Sequence, residues 1–405
     1  MALFQHGHKS GKRFVVIFEI GSASIGGAFV GIDGENPPEI IFTTRRDIPF
    51  QEKLNFQRFL DSMIKTLEEL FVLMRKAGGG VKVKEAYCIL ASPWYASQTR
   101  LIKYSQDTPF TVTEDGLNKL IEKEISLFRD SKLFAHAKTG DAVPEIMESK
   151  NIQTKLNGYE MRTPFGKKAS QIEMAVFISM IPTSIKASIM GAITKFWHAP
   201  TVHFSSFSFT AFDTIRAIFP DERSFLFMDI SGEVTDISLA RENVLLESVS
   251  FPAGKNMLIR TLVDKLKTTP ALAMSELDLY ADHHSTPEHA LRVEAALREA
   301  TTVWQASFQG ALQQFAKEFP IPHTIFYTAD DSMSEWFEAA IAKTEATSSI
   351  QGGKEGMGGG AFVVRALGNA FLGKFVRLVE PDFEDPFLAI EAIFANKFSK
   401  FSSLT

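Results

Sequence analysis

The chain has 405 residues, of which 45% are hydrophobic and 22% are charged, as is usual for globular proteins. At about 150 residues per domain, this length predicts two or three domains or one large two-lobed fold. The formal net charge of −5 argues against a protein that binds nucleic acid through a basic surface.

The sequence predicts a cytoplasmic protein without a membrane-spanning segment. It contains no apolar run of the roughly 18 residues that a spanning helix needs. Cys88 is the only cysteine and cannot form an internal disulfide, which fits a reducing compartment. The apolar run Phe14–Phe18 follows basic residues, as in a signal peptide, but Glu19 interrupts it too early for one.

The first half of the chain begins with three predicted strands and a helix. The first strand ends before Gly21 and the second before the turn pair Asp33–Gly34. The helix is amphipathic, with apolar residues at helical spacing. These elements are predicted at residues 13–20, 28–32, 39–44 and 56–76.

The second half repeats this order of elements. Its three strands and helix are predicted at residues 224–230, 235–241, 244–251 and 255–265. The first strand of each half ends with an acidic residue, Glu19 in one and Asp229 in the other. The repetition predicts a duplicated βββα unit, although this order of elements is common enough to recur by chance.

Between the halves, the chain is predicted to contain a small inserted α+β subdomain. Strands are predicted at residues 86–91 and 174–181 and a helix at 113–128, with a polar, turn-rich stretch at 109–164. The predicted domains are a first lobe at residues 13–84 that continues at about 182–218, the insertion at 85–181, a second lobe at 222–400, and a flexible glycine-rich loop at 346–361.

Two predicted hairpins carry the chemistry, at Glu19–Ser24 and Asp229–Asp236. Small residues in a tight turn let backbone N–H groups approach phosphate oxygens closely. The hydroxyl groups of Ser22, Ser24 and Thr235 add donors to the same region. The carboxylate at each strand end is suited to orient waters around Mg²⁺. Two such hairpins facing one cleft predict an anion site.

These residues resemble the actin-like ATPase superfamily, and within it the bacterial FtsA proteins of cell division. Glu19–Ser24 and Asp229–Asp236 resemble its two phosphate motifs, and Phe251–Gly254 resembles the stretch that opens the following helix. Ile325–Ser332 stands where the adenosine motif belongs, and residues 158–181 resemble the FtsA insertion, an SHS2-type subdomain (1C). The resemblance implies an α/β, ribonuclease H-like duplicated βββαβα fold with two lobes.

The resemblance also implies ATP and Mg²⁺ as cofactors, with site residues taken over position by position. Glu19 and Asp229 match the catalytic carboxylates that hold Mg²⁺ through bound water. The positions that match nucleotide-binding residues are Gly21, Ser22, Ser24, Gly232, Thr235, Gly254, Lys255, Glu276 and Thr328.

Several departures from the family pattern predict weak nucleotide binding, or none. Glu233 replaces a glycine of the second phosphate motif, and its charge would oppose phosphates if it faced them. Lys255 replaces another glycine and is a candidate compensating cation. Residues 329–331 replace all three glycines of the adenosine motif. At most a slow ATPase is expected, and a degenerate actin fold that binds no nucleotide stays open.

The resemblance implies a cell-division protein that self-associates into filaments and recruits partners, with peripheral attachment at the inner face of the membrane through those partners. One alternative is PilM, the related actin-like protein of the type IV pilus platform, which binds a peptide of a membrane partner. Another is a sugar or acid kinase of the same fold. The insertion is expected to carry protein contacts, because no phosphate or adenosine segment falls within it. The apolar face of residues 386–401 fits either core packing or a membrane anchor.

Overall fold

The computed structural model describes residues 13–78, 83–131, 143–197, 201–344, 361–379 and 385–402. Within these ranges, two mixed β-sheets with flanking helices form two lobes, and a third sheet forms the insertion. The glycine-rich loop predicted at residues 346–361 lies, apart from Ala361, outside the described residues. None of the described helices is both long and apolar enough to cross a bilayer.

The first lobe opens with the three predicted strands and the long helix. Its first elements are β1 (Arg13–Ile20), β2 (Ser24–Ile32), β3 (Glu39–Asp47), α1 (Phe56–Gly78) and β4 (Glu85–Leu90). β1 lies at the centre of the sheet, antiparallel to β2 and parallel to β4. Helix α1 begins where the side chain of Asn55 accepts a hydrogen bond from the backbone of Arg58. β2 begins at Ser24 rather than at residue 28, because the turn after β1 is short.

The insertion is a four-stranded sheet covered on one face by a helix. Its elements are β5 (Ala96–Thr111), α2 (Glu114–Arg129), β6 (Pro144–Leu156), β7 (Tyr159–Glu160) and β8 (Lys168–Pro182), with strand order β5-β8-β6-β7. The strand predicted to open the insertion at residue 86 is β4, which pairs with β1 in the first sheet. The separate sheet of the insertion therefore starts at Ala96 and not at residue 85.

The chain then returns to the first lobe. The next elements are α3 (Thr183–Phe196), β9 (Thr201–Ser206) and α4 (Phe207–Ile218). β9 lies parallel to β4, which gives the first sheet the order β3-β2-β1-β4-β9 before its last strand is added. The side chain of Ser206 accepts a hydrogen bond from the backbone of Phe209 and so caps α4.

The second lobe repeats the order of the first sheet. Its elements are β10 (Phe225–Ile230), β11 (Thr235–Arg241), β12 (Val244–Phe251), α5 (Lys255–Leu266), α6 (Pro270–Ala281), α7 (Pro287–Ala316), β13 (Thr324–Ala329), α8 (Asp331–Ala342) and β14 (Val363–Ala366). The strand order is β12-β11-β10-β13-β14, with the same directions as in the first sheet. The predicted duplication is thereby confirmed.

The C-terminal elements cross back to the first lobe, so the prediction of a second lobe up to residue 400 is wrong in its last part. They are α9 (Asn369–Leu372), β15 (Arg377–Leu378) and α10 (Pro386–Ser402). β15 adds to the first sheet beside β3, and α10 packs against β1, β2 and α4. Leu388, Ile390 and Ala392 of α10 are fully buried. The apolar pattern of α10 therefore serves core packing in the described residues.

Candidate functional site: the cleft between the lobes

The two predicted hairpins have the same backbone hydrogen bond across the turn, and they face each other. In the first, the backbone N–H of Gly21 donates to the carbonyl of Ser24 at 3.1 Å. In the second, the backbone N–H of Ser231 donates to the carbonyl of Val234, also at 3.1 Å. Each turn therefore joins its strands through two central residues, and these short turns place the strand ends at the cleft.

The tips of the hairpins are in direct contact. The hydroxyl groups of Ser22 and Ser231 share a hydrogen bond of 2.6 Å, and the backbone N–H of Glu233 donates to Ser22 Oγ at 2.9 Å. A Cβ atom added to Gly232 would lie 2.4 Å from the Cβ of Ala23. These contacts leave no space for a phosphate group between the two tips.

A cavity of about 330 Å³ remains beside the hairpin tips. Arg45, from β3, occupies one side of it. Its guanidinium binds Glu19 at 2.6 Å and Asp385 at 2.7 Å, and it donates to Ser24 Oγ at 2.8 Å. Gly26 makes room for this arrangement, because a Cβ there would lie 2.7 Å from an Arg45 nitrogen. A side chain of the protein thus fills the place next to Glu19 where a cation would be held.

Arg45 offsets part of the negative charge of the two carboxyl groups in this cluster. Burial raises the pKa of Glu19, and the Arg45 guanidinium offsets part of that rise. Burial alone would lower the pKa of Arg45, but the carboxylates of Asp385 and Glu19 raise it above its ordinary value. The guanidinium is therefore charged at every pH at which the protein folds.

Lys255 lies on the other side of the cavity and is also paired. Its ammonium binds Asp330 at 3.0 Å and donates to Ser332 Oγ at 3.2 Å. Burial would raise the pKa of Asp330, but Lys255 and Ser332 together lower it below the ordinary value. Three carboxyl groups line the cavity, those of Glu19, Asp330 and Asp385, against two cations. A bound polyphosphate would add negative charge to a site that already has an excess of it.

Glu233 turns away from the cavity. Its carboxylate binds Arg260 through two hydrogen bonds of 2.8 Å and accepts a third, also of 2.8 Å, from Asn256. Arg260 in turn donates to the backbone carbonyl of Gln51 at 2.8 Å, and its guanidinium lies over the ring of Phe50. Glu233 therefore helps to join the two lobes through Arg260. In this position its carboxylate does not face the cavity, so the expected repulsion of phosphates does not arise.

The acidic residue of the second hairpin has no cationic partner among the residues that the structure describes. Asp229 pairs with Asp236 across β10 and β11 and with Thr328 across β10 and β13, and all three are buried. One carboxyl oxygen of Asp229 and the hydroxyl of Thr328 have no hydrogen-bond partner. Burial, then the neighbouring Asp236 and Glu19, raise the pKa of Asp229 well above its ordinary value. Burial and its acidic neighbours therefore favour the protonated form of Asp229.

The other residues predicted to bind nucleotide have internal roles or lie elsewhere. Thr235 donates its hydroxyl to the carbonyl of Ala253 at 2.6 Å. Gly254 lies so close to the second hairpin that a Cβ would be 2.2 Å from the carbonyl oxygen of Ser231. Glu276 lies on α6, 3.9 Å from His289, and does not line the cavity.

The N-terminus of α5 is also occupied. Its first backbone N–H groups, those of Lys255 and Asn256, donate to the carbonyls of Ser231 and Gly232 at 3.0 and 2.9 Å. Free N–H groups at a helix N-terminus are what make it an anion site. Here the hairpin itself accepts those bonds, so α5 does not provide such a site.

The residues present do not fit Mg²⁺. One oxygen of Glu19 is bonded to Arg45, and Asp229 is buried with a raised pKa, whereas Mg²⁺ requires ionised oxygen ligands and several waters. Among the described residues, no group of three or more His, Cys, Asp or Glu side chains is placed to hold a metal ion.

Sequence reasoning missed the residues that define this cleft, namely Arg45, Asp385 and Arg260. A signal for Arg45 was present, because a buried strand that ends in two arginines and an aspartate at Arg45–Asp47 is unusual. Asp385 and Arg260 are distant in sequence from their partners, and no local pattern marks them.

Comparison with known proteins supports the fold and nothing finer. No protein-family model matches the chain, and no curated protein matches it in sequence. Among solved structures, the PilM–PilN type IV pilus biogenesis complex matches with a TM-score of 0.62 and 13% identity, over 95% of this chain and 98% of that chain. The chain has an actin-like fold.

Two further matches are weaker. The ethanolamine utilization protein EutJ from Carboxydothermus hydrogenoformans has a TM-score of 0.44 and 10% identity, over 96% of this chain and 91% of that chain. A Bacteroides thetaiotaomicron protein with an actin-like ATPase fold and unknown function has a TM-score of 0.41 and 10% identity, over 84% and 91% of the two chains.

Proposed function

We propose that this chain is an actin-fold adaptor that recruits or assembles partner proteins without using nucleotide. In this role it acts at the cytoplasmic face of a cell-envelope machine, which it reaches through its partners. The observation that carries the proposal is the contact between the two hairpin tips, with Arg45 in the adjoining cavity.

Three features oppose ATP binding independently of one another. The Ser22–Ser231 bond closes the space between the hairpins. The cavity beside them has one more carboxyl group than cations. Of the carboxyl groups that would hold Mg²⁺, Glu19 is paired with Arg45, and Asp229 is buried with a raised pKa. Binding of ATP would require all three to change, and each change has a free-energy cost.

A pilus-platform type of adaptor is the candidate that the comparisons favour, because the match with the PilM–PilN complex covers nearly the whole of both chains. A division protein of the FtsA type is the second candidate. It is supported by the insertion, in which β8 follows the stretch Thr163–Gly166 that resembles the FtsA subdomain. Self-association into filaments belongs to this second candidate. A kinase role is disfavoured by the same features that oppose ATP.

Calorimetry with Mg-ATP tests the first part of the proposal. We expect no binding heat up to millimolar nucleotide, and no phosphate release above background in the same samples. A dissociation constant in the micromolar range, equivalent to about 8 kcal/mol of binding free energy, would contradict it.

Pairwise binding tests address the adaptor role. The purified chain is presented with the cytoplasmic segments of the source organism's pilus-platform membrane proteins, with its division proteins, and with itself. We expect saturable binding to one of the first two sets. If the chain binds neither set, the adaptor proposal is wrong.

A further inference from the structure

A second cavity lies between the insertion and the second lobe. Its volume is about 280 Å³, and it is open on one side. One wall is the sheet of the insertion, and the other is the β11–β12 hairpin with Phe319. We call this cavity the interlobe groove. It shares no lining residue with the cleft described above.

The groove exists because helix α2 covers one face of the inserted sheet, while part of the other face is left open. Residues alternate between the two faces of a strand, so Ile102 and Met174 face α2 and are buried there. On the opposite face, Phe177 stacks on Phe209 of α4 near the first lobe. Farther along this face none of the described helices packs on the sheet, and Leu101 is 58% exposed. The middle of this face is therefore the open wall of the groove.

Cationic side chains outnumber carboxylates in the lining of the groove. Lys103 and Lys155 lie directly across from Glu173, on either side of it, in the pairing of β5 and β6 with β8. Arg241 extends the positive charge from the opposite wall. Within the part of the chain that the structure describes, none of these three cations takes part in an ion pair.

The carboxylates of the groove are less available. Glu242 forms an ion pair with Arg223 at 2.9 Å, and Glu173 accepts a hydrogen bond from Gln171 at 2.8 Å. The lining thus has three cations against two carboxylates, while the whole chain has a formal net charge of −5. A net-positive groove on a net-negative protein selects an anionic partner.

We propose that the interlobe groove binds an acidic segment of a partner protein in extended conformation. The cations come from three strands and stand apart, with the apolar side chains of Leu101, Val244 and Leu246 among them. A small carboxylic acid reaches one of these cations, whereas an extended peptide places acidic and apolar side chains alternately along its length. The inference deepens the proposed adaptor function and rests on it.

Fluorescence anisotropy with defined peptides tests this proposal. The probe is a labelled hexapeptide of alternating glutamate and leucine, and the matched peptides replace each glutamate with glutamine or with lysine. We expect the glutamate peptide to bind and the two others to bind about tenfold more weakly or not at all. Binding should weaken as the salt concentration is raised from about 50 to about 300 mM, because salt screens the attraction between exposed charges.

A matched pair of variants locates the binding. Lys103→Ala with Lys155→Ala removes two charges from the groove, and Lys119→Ala with Lys123→Ala removes two exposed charges from α2 on the other face of the insertion. We expect about tenfold weaker binding for the groove variant and unchanged binding for the α2 variant. Circular dichroism of both variants confirms that they fold.

The proposal is overturned if the glutamine peptide binds as well as the glutamate peptide, or if both double variants bind equally. Because the assay contains no nucleotide, its outcome is separate from the calorimetric test. If the peptide does not bind and calorimetry shows no ATP binding, the adaptor proposal stands, but this groove is not its binding site.

Discussion

Glu19 and Asp229 end equivalent strands in the two lobes, yet their surroundings are opposite. Glu19 faces Gly26 across the hairpin, and the space that glycine leaves is filled by Arg45. Asp229 faces Asp236 at the same register, and within the described ranges no cation pairs with it. One hairpin therefore has a carboxyl group with an internal counterion, and the other has a buried carboxyl group whose pKa is raised by burial and by its acidic neighbours.

This difference shows two ways in which a carboxyl group at the end of a strand can be unsuited to bind a cation in the same fold. In the first lobe, a guanidinium supplies the positive charge permanently, so the carboxylate no longer needs an ion. In the second lobe, burial shifts the carboxyl group towards its neutral form, so it no longer attracts one. The backbone hydrogen bonding of the turn is the same in both hairpins, because the pairing of the strands in each sheet determines it.

Arg45→Met should have the largest effect. It leaves Glu19 and Asp385 buried without their cation, and breaking a buried pair from one side costs about 3–5 kcal/mol. Chemical denaturation measures the loss in the free energy of unfolding. Arg46→Met, at the exposed neighbouring position, is the control and should change stability by less than about 0.5 kcal/mol.

If Arg45→Met fails to fold, Arg45→Lys keeps the charge but loses the bidentate geometry and should give an intermediate loss. Equal stabilities for the Met variants at the two positions would show that Arg45 does not offset the two carboxylates.

Arg260→Ala should have the next largest effect. It removes two hydrogen bonds to buried Glu233 and two to the backbone carbonyl of Gln51 in the other lobe, and we expect a loss of about 2–3 kcal/mol. Hydrogen exchange should also become faster in the second hairpin. The control is Lys265→Ala on the same helix, where an exposed ion pair with Glu299 should contribute little to stability. Unchanged exchange in the hairpin would show that Arg260 does not hold it in place.

Local patterns in the sequence were enough for the fold but not for the cleft. Apolar runs and turn pairs marked the strands, and the hairpin turn Glu242–Asn243 has the positive φ angles of 49° and 64° that such a turn requires. The sequence did not show which way the Glu233 side chain points, because that depends on its ion pair with Arg260, 27 residues away. The return of β15 and α10 to the first lobe depends on pairing with β3, which no local pattern reveals.

Asp229→Asn should change the pH dependence of stability. The folded-state pKa of Asp229 is raised, so the folded protein binds more protons than the unfolded one between the ordinary carboxyl pKa and the raised value. The free energy of unfolding should therefore fall with rising pH in that window, by up to about 1.4 kcal/mol per pH unit. The variant should have a flatter profile, which denaturation at several pH values measures.

Glu122→Gln, an exposed change on α2, is the control for this profile and should leave its slope as in the parent protein. A profile for Asp229→Asn as steep as that of the parent would mean that the pKa of Asp229 is not raised in the folded state.

Ser22→Ala should have the smallest effect and tests how the two hairpins are joined. Ser22 Oγ bonds to Ser231 Oγ and accepts from the backbone of Glu233, so its loss should cost about 1–2 kcal/mol. Ser231→Ala removes the first of these bonds and a long one, of 3.4 Å, from Ser231 Oγ to the carbonyl of Val234, and it should cost less. Because the two serines share one bond, the double variant should lose about 0.5–1 kcal/mol less than the sum of the single variants. Strictly additive losses would show that the hairpin tips are separate in solution, and the space for a phosphate would then be open.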